Sequence, residues 1–120
     1  MSQESTSAHG DVRNYVGGEW VAPTGEGGQD VVNPATGETL AHVTFSSAGE
    51  VDEAVRTGQE AFESWRERAV EERIQPLFRF KQLLEDHQDE LAELLVQEHG
   101  KTLGEARGEL RRGIENVEAA

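Results

Sequence analysis

The spacing of apolar residues changes along the chain, and the change falls near residue 46. Before that point the chain holds short runs rich in β-branched and aromatic residues, a composition typical of β-strands. The runs NYV and EWV flank Gly17-Gly18, a pair that predicts a two-residue hairpin turn because glycine accepts positive φ. The linker APTGEGGQD follows. The stretch DVVNPATGETLAHVTF then predicts a second hairpin, with its turn at residues 35–38 and its second strand at 39–45.

The residues after Ser46 follow helical spacing. Ser47-Ala48-Gly49-Glu50 has the pattern of a capping box, in which the serine hydroxyl and the glutamate carboxylate each accept a hydrogen bond from a free backbone N–H. Apolar residues three and four positions apart then predict a first helix with one buried stripe. This stripe consists of Val51, Ala54, Val55, Gly58, Ala61, Phe62 and Trp65.

Three further helices are predicted behind the first. The second covers about residues 70–87, and Pro76 is expected to bend it or to delay its start, because proline lacks a backbone donor. The third covers about 89–99 and ends at Gly100, a natural C-terminal stop. The fourth begins at a second capping box, Thr102 to Glu105. The apolar residues of the second helix are Ile74, Leu77, Phe78, Phe80, Leu83 and Leu84. Those of the third are Leu91, Leu94 and Leu95, and those of the fourth are Leu103, Ala106, Leu110, Ile114, Val117 and Ala120.

The chain is strongly acidic. Its 24 acidic and 11 basic residues give a formal charge of −13, which argues against binding to nucleic acid or to an anionic membrane surface. Lys81 and Lys101 are the two lysines, and the other nine basic residues are arginines. Many carboxylates with few lysines are typical of a protein kept in strong salt. There the Debye length falls to roughly 3 Å at 1 M, so repulsion between the carboxylates is screened. We therefore predict a halophilic source, with an ordinary acidic bacterial protein as the alternative.

The residue types also restrict the chemistry of this segment. It has no cysteine, which excludes disulfides and thiol catalysis within these residues, and no apolar run has the length of a membrane span. The four histidines never fall at metal-ligand spacing, so we expect no metal site. Gly100-Lys101-Thr102 resembles the end of a phosphate-binding loop, but Leu95 stands where that loop needs glycine. We expect a cytoplasmic protein with a disordered tail over residues 1–12.

The helices have more apolar surface than the short hairpins can cover, and an amphipathic face must be buried against another layer. The final residues VEAA carry no helix stop signal, and the apolar stripe is still in register at Ala120. We therefore expect residues 13–120 to be the N-terminal portion of a larger domain whose remainder supplies a sheet. The alternative is a stand-alone acidic helical module that binds a protein partner.

Several of these runs, in this order, resemble one enzyme superfamily. The runs are YVGGEWV, DVVNPATGE, AFESW and LLVQEHGKTLGEA, and they resemble the N-terminus of the NAD(P)-dependent aldehyde dehydrogenases over residues 13–120. The last stretch, GELRRGIENVEAA at 108–120, resembles the CoA-acylating methylmalonate-semialdehyde dehydrogenase branch. The resemblance implies an α/β fold, in which β-hairpins and a helical layer pack on a Rossmann-like coenzyme-binding sheet that this chain lacks.

That branch oxidises malonate or methylmalonate semialdehyde. NAD accepts the hydride, CoA accepts the acyl group, and CO₂ is lost to give acetyl-CoA or propionyl-CoA. In the family's layout the catalytic cysteine and the cofactor-contacting residues lie beyond Ala120, so we expect no catalytic or cofactor-binding residue here and no activity from residues 1–120 alone. The resemblance also implies a homodimer or homotetramer. A dehydrogenase whose thioester is hydrolysed by water remains the alternative enzyme.

One residue of this segment is implied in substrate binding. In the branch, the arginine before the glycine of the R-G-I-E segment binds the substrate carboxylate, and here that residue is Arg112. A planar guanidinium can bind a carboxylate through two parallel hydrogen bonds. Spacing alone favours an ordinary surface role, because Arg112 lies about 200° from Leu110 around the helix and has Glu109 and Glu115 three residues away on either side. Arg107 and Arg111 are interpreted as structural or surface residues.

Overall fold

The computed structural model describes residues 9–120, and the chain divides into two compact units, Met1–Arg66 and Glu67–Ala120. Residues 1–8 of the predicted tail lie outside the described residues. The chain is already paired at His9, however, whose N–H donates to the Leu40 carbonyl over 2.8 Å, and Asp11 forms a parallel bridge with His42. Residues 9–12, which the prediction placed in the tail, are therefore attached to a strand edge by hydrogen bonds.

The predicted first hairpin is confirmed. Its strands are β1 (Asn14–Val16) and β2 (Glu19–Val21), which pair antiparallel with Tyr15 opposite Trp20. The two rings lie 4.9 Å apart between centroids, a spacing at which cross-strand aromatic pairs attract each other. Gly17 and Gly18 have φ values of +61° and +83°, so the tight turn needs a residue without a Cβ at both positions.

The second hairpin is also confirmed, with a longer first strand than predicted. Its strands are β3 (Gly28–Val32) and β4 (Thr39–Thr44), which pair antiparallel. β3 starts at Gly28, two residues before the predicted run that begins at Asp30, because the opposite strand continues to Thr44 and pairs with Gly28. Leu40 and Ala41 of β4 are buried and form the centre of this unit.

Helix α1 (Ala48–Trp65) starts at Ser47 as predicted, but its capping box is only half formed. The Ser47 hydroxyl accepts a hydrogen bond of 3.2 Å from the Glu50 N–H. The Glu50 carboxylate does not complete the box. It accepts hydrogen bonds from the backbone N–H of Thr24, over 2.8 Å, and from the Thr24 hydroxyl. These two bonds, which hold the pKa of Glu50 below its ordinary value, tie the loop after β2 to the first turn of α1.

The predicted stripe on α1 keeps its helical spacing but is not buried, which corrects the expectation of a buried face. Val51, Val55 and Phe62 are each more than half exposed, and the helix has no buried residue. Nothing in the described part of the chain covers this face.

The second unit contains three helices, α2 (Val70–Asp86), α3 (Gln88–His99) and α4 (Leu103–Ala119). Their boundaries match the predictions within one or two residues. Pro76 lies inside α2, which begins at Val70, so a delayed start is wrong; the first-turn acids Glu71 and Glu72 suit the helix N-terminus. Gly100 ends α3 in the left-handed conformation, with φ of +69°, and its N–H donates to the Val96 carbonyl.

The buried core of this unit is small. It consists of Ala92 from α3 and of Ala106 and Ile114 from α4, which packs against both α2 and α3. On α2, Phe78 and Leu83 remain more than half exposed. No helix among the described residues is long and apolar enough to cross a membrane.

Candidate functional site

The start of α4 is fixed by a complete capping box, as predicted. The Thr102 hydroxyl accepts a 3.3 Å hydrogen bond from the Glu105 N–H, and the Glu105 carboxylate accepts a 3.1 Å hydrogen bond from the Thr102 N–H. Two buried apolar side chains, Ala106 and Ile114, set the rotation of the helix about its axis. The polar side chains of α4 therefore have defined directions.

Arg112 lies on the side of α4 opposite the buried residues and is exposed. It forms no salt bridge and no side-chain hydrogen bond with any residue that the structure describes. The surface pairs that its spacing suggests, with Glu109 and Glu115, do not form. A second cation holds each of these carboxylates.

Glu109 is engaged by Lys101. The Lys101 ammonium contacts the Glu109 carboxylate and donates a hydrogen bond to it. This hydrogen bond, followed by the charge of Lys101, holds the pKa of Glu109 below its ordinary value against the opposing effect of desolvation, and His99 and Arg112 add smaller contributions. Glu109 therefore stays ionised and bound at neutral pH.

Glu115 is engaged by Arg111, whose Nε lies 3.5 Å from Glu115 Oε1. The Arg111 guanidinium also reaches Glu118 over 3.5 Å and Glu85 of α2 over 3.9 Å. Lys81 contacts the same two carboxylates, which completes a network between α2 and α4. These contacts agree with the interpretation of Arg111 as a structural or surface residue.

The other residues near Arg112 carry no charge. One turn before it stands Gly108, where an added Cβ would meet no atom within 4 Å, and one turn after it stands Asn116. Arg107 lies nearer the buried side and pairs with Asp89 of α3 over 3.3 Å, in agreement with its interpretation as a structural or surface residue. Arg112 is thus an exposed guanidinium with open space beside it, and such a group can bind an incoming carboxylate through two hydrogen bonds.

The Lys101 pair predicts a shift in the titration of Glu109. The folded-state pKa of Glu109 is lowered from its ordinary value of 4.5, so the pair contributes its full stability above that value and loses it as the pH falls through the lowered folded pKa. We expect Lys101→Met to move the Glu109 titration back toward 4.5. Carboxyl ¹³C NMR titration of both proteins measures the change, and an unmoved midpoint would contradict the pairing.

Other features of the described residues are weaker candidates for a functional site. Across the described residues no group of three or more His, Asp and Glu side chains is placed to hold a metal ion. In the first unit, a groove of about 860 Å³ runs between the β1–β2 hairpin and α1, lined by Tyr15, Val16, Val51 and Val55 among others. This groove is mostly apolar, and its polar side chains Asn14 and Ser46 are hydrogen-bonded to each other over 2.8 Å.

Sequence reasoning missed the role of Lys101. Lys101 and Glu109 are eight residues apart, which no helix-pair rule covers, because Lys101 lies before the N-cap of α4 and its side chain runs along the helix to reach Glu109. The signal present in the sequence was a lysine directly before the N-cap threonine of α4. In the sequence alone this lysine stands out only as part of an incomplete phosphate-loop motif.

The chain matches one family model, described as the aldehyde dehydrogenase family, over residues 20–120. It is 50% identical over 109 residues to the malonate-semialdehyde dehydrogenase of Listeria monocytogenes serotype 4b. That alignment covers 91% of this chain and 22% of the Listeria protein. The chain therefore spans about a fifth of the length of the curated relatives that it matches.

Solved structures agree with the sequence matches. The methylmalonate-semialdehyde dehydrogenase of Oceanimonas doudoroffii matches with a TM-score of 0.82 and 43% identity, over 88% of this chain and 21% of that one. Aldehyde dehydrogenase C of Pseudomonas syringae, solved with NAD⁺ and octanal, matches with a TM-score of 0.84 and 34% identity, over 93% and 23%. The two hairpins and four helices thus reproduce about a fifth of an aldehyde dehydrogenase structure.

Proposed function

This chain belongs to the aldehyde dehydrogenase family, and we propose from that premise that it is the N-terminal part of a CoA-acylating malonate- or methylmalonate-semialdehyde dehydrogenase. The complete enzyme oxidises the semialdehyde, transfers the acyl group to CoA and releases CO₂, so that the product is acetyl-CoA or propionyl-CoA. The observation that carries this proposal is the 50% identity to malonate-semialdehyde dehydrogenases over 109 residues.

The exposed apolar faces support the view that this segment works inside a larger protein. The face of α1 with Val55 and Phe62, and the face of α2 with Phe78 and Leu83, are more than half exposed. Covering such faces is worth about 25 cal/mol per Å² of apolar surface removed from water. The relatives are about four times as long as this chain, and we propose that their additional residues correspond to the sheet that covers these faces.

The NAD and CoA sites belong to that remaining part. Residues 9–120 contain only antiparallel hairpins and one short parallel bridge, without the parallel strand, glycine-rich turn and helix N-terminus that hold a dinucleotide pyrophosphate. This segment does not fit the cofactor, and no step of hydride transfer is assigned to its residues. NAD, when bound by the complete enzyme, accepts the hydride of the aldehyde.

Arg112 is the residue of this segment that we assign to the substrate. Malonate and methylmalonate semialdehyde carry a carboxylate beside the aldehyde, and its charge needs a partner in the pocket. Arg112 is exposed and unpaired in the described part of the chain, while its neighbours Arg111 and Arg107 are held in ion pairs. We assign the carboxylate-binding role to Arg112 for that reason.

The complete reading frame that contains this segment provides the test. The purified enzyme is incubated with malonate semialdehyde and NAD, with and without CoA, while NADH is followed optically and thioesters by mass spectrometry. We expect turnover to depend on CoA and to yield acetyl-CoA and CO₂. CoA-independent turnover that gives the free acid would establish the hydrolytic alternative instead. Sedimentation of the same sample tests the proposed homodimer or homotetramer.

A further inference from the structure

We propose that Lys101 is a positioning residue, which keeps Arg112 available for the substrate by holding the Glu109 carboxylate away from it. This inference rests on the function proposed above, because it concerns how the carboxylate-binding arginine stays unoccupied. Lys101 would then influence substrate specificity without contacting the substrate.

The placement of Lys101 is fixed by its neighbours in the chain. It stands between the left-handed Gly100 and the N-cap residue Thr102, so the chain direction at this point is fixed from both sides. From there its ammonium reaches the Glu109 carboxylate two helical turns along α4. The side chains of Lys101 and Glu109 are 25% and 40% exposed, so solvent screens this pair less than a fully exposed one.

Glu109 has a second possible partner, Arg112. Arg112 follows Glu109 by three residues on the same helix, a spacing at which oppositely charged side chains pair. A carboxylate bound to the Arg112 guanidinium uses the same parallel N–H groups that a substrate carboxylate requires. Glu109 is therefore a built-in competitor of the substrate unless another cation engages it.

Each acidic neighbour of Arg112 is held by one cation among the described residues. Glu115 is held by Arg111, which also contacts Glu85 and Glu118. For Glu109 the salt bridge within the described residues is made by Lys101 alone. Loss of Lys101 therefore frees a carboxylate beside Arg112, while Arg111 continues to engage Glu115 on the other side.

The experiment compares substituted forms of the complete enzyme. We expect Lys101→Met to raise the KM for malonate semialdehyde about two- to fivefold, the effect of one competing i,i+3 ion pair, with kcat unchanged. The KM for propionaldehyde, which has no carboxylate, should stay constant. The double variant Lys101→Met/Glu109→Gln should restore the original KM, and Lys101→Arg should retain it.

The outcomes separate this inference from the proposed function. If Arg112→Leu affects both aldehydes equally, the carboxylate role of Arg112 fails, and the proposal for Lys101 fails with it. Arg112→Leu could raise the KM for malonate semialdehyde selectively while Lys101→Met changes neither KM. That result, or a Lys101→Met KM that Glu109→Gln does not restore, overturns the positioning role alone. Should Lys101→Met not fold, Glu109→Gln is compared with the double variant: once the competing carboxylate is gone, loss of Lys101 must leave the KM unchanged.

Discussion

Arg112→Leu is expected to raise the KM of the complete enzyme for malonate semialdehyde by about 10- to 100-fold. This range corresponds to the roughly 1.5–3 kcal/mol of a hydrogen-bonded charge pair that the leucine cannot form. Propionaldehyde has a similar size but no carboxylate, so its KM should change less than about twofold. Steady-state kinetics with both aldehydes at saturating NAD and CoA measures the difference.

Two matched variants make this result specific. Arg107→Leu removes the same charge from the same helix, but from a residue that is paired with Asp89, and it should leave the ratio of the two KM values unchanged. Arg112→Lys keeps the charge and loses the planar fork, so it should fall between wild type and Arg112→Leu. A parallel rise for both aldehydes in Arg112→Leu would instead indicate a structural role.

Ile114→Ala should have the largest effect on the stability of residues 1–120. Ile114 is the largest fully buried side chain among the described residues, and it packs in the second unit beside Ala106. Replacing a buried isoleucine by alanine costs about 2–4 kcal/mol through lost transfer free energy and the cavity left behind. Because the core has so few buried residues, we expect the substitution to remove much of the cooperative unfolding transition. Circular dichroism during urea denaturation in concentrated KCl measures this transition.

Leu103→Ala is the control for that experiment. Leu103 lies on the same apolar stripe of α4 but is 40% exposed, so it loses less buried surface and leaves no closed cavity. We expect its urea midpoint to shift by less than half as much as that of Ile114→Ala. Equal shifts would mean that the stripe is buried uniformly in solution, which would contradict the exposed face found here.

Local sequence signals predicted most of the elements of this chain. Glycine pairs and N-cap residues act over a few positions, and so the hairpin at Gly17-Gly18, the start of α1 at Ser47 and the box at Thr102 were found where expected. The miss at Glu50 has a tertiary cause, since its carboxylate binds Thr24, 26 residues away in sequence. A capping-box pattern does not reveal a competing partner that distant.

The sequence by itself determined the secondary structure, the acidic surface and the family, because these depend on periodicity, composition and motifs written in adjacent residues. It also pointed to Arg112 through a family motif, although spacing alone favoured a surface pair with Glu109 or Glu115. Only the tertiary structure decided which charges meet. Lys101 engages Glu109 eight residues away, beyond any helix-pair spacing. Lys81 of α2 reaches Glu118 of α4, and Arg111 of α4 reaches Glu85 of α2, because these two helices pack together. Ion pairs depend on distance in space, and that distance is fixed by packing between elements rather than by spacing along one of them.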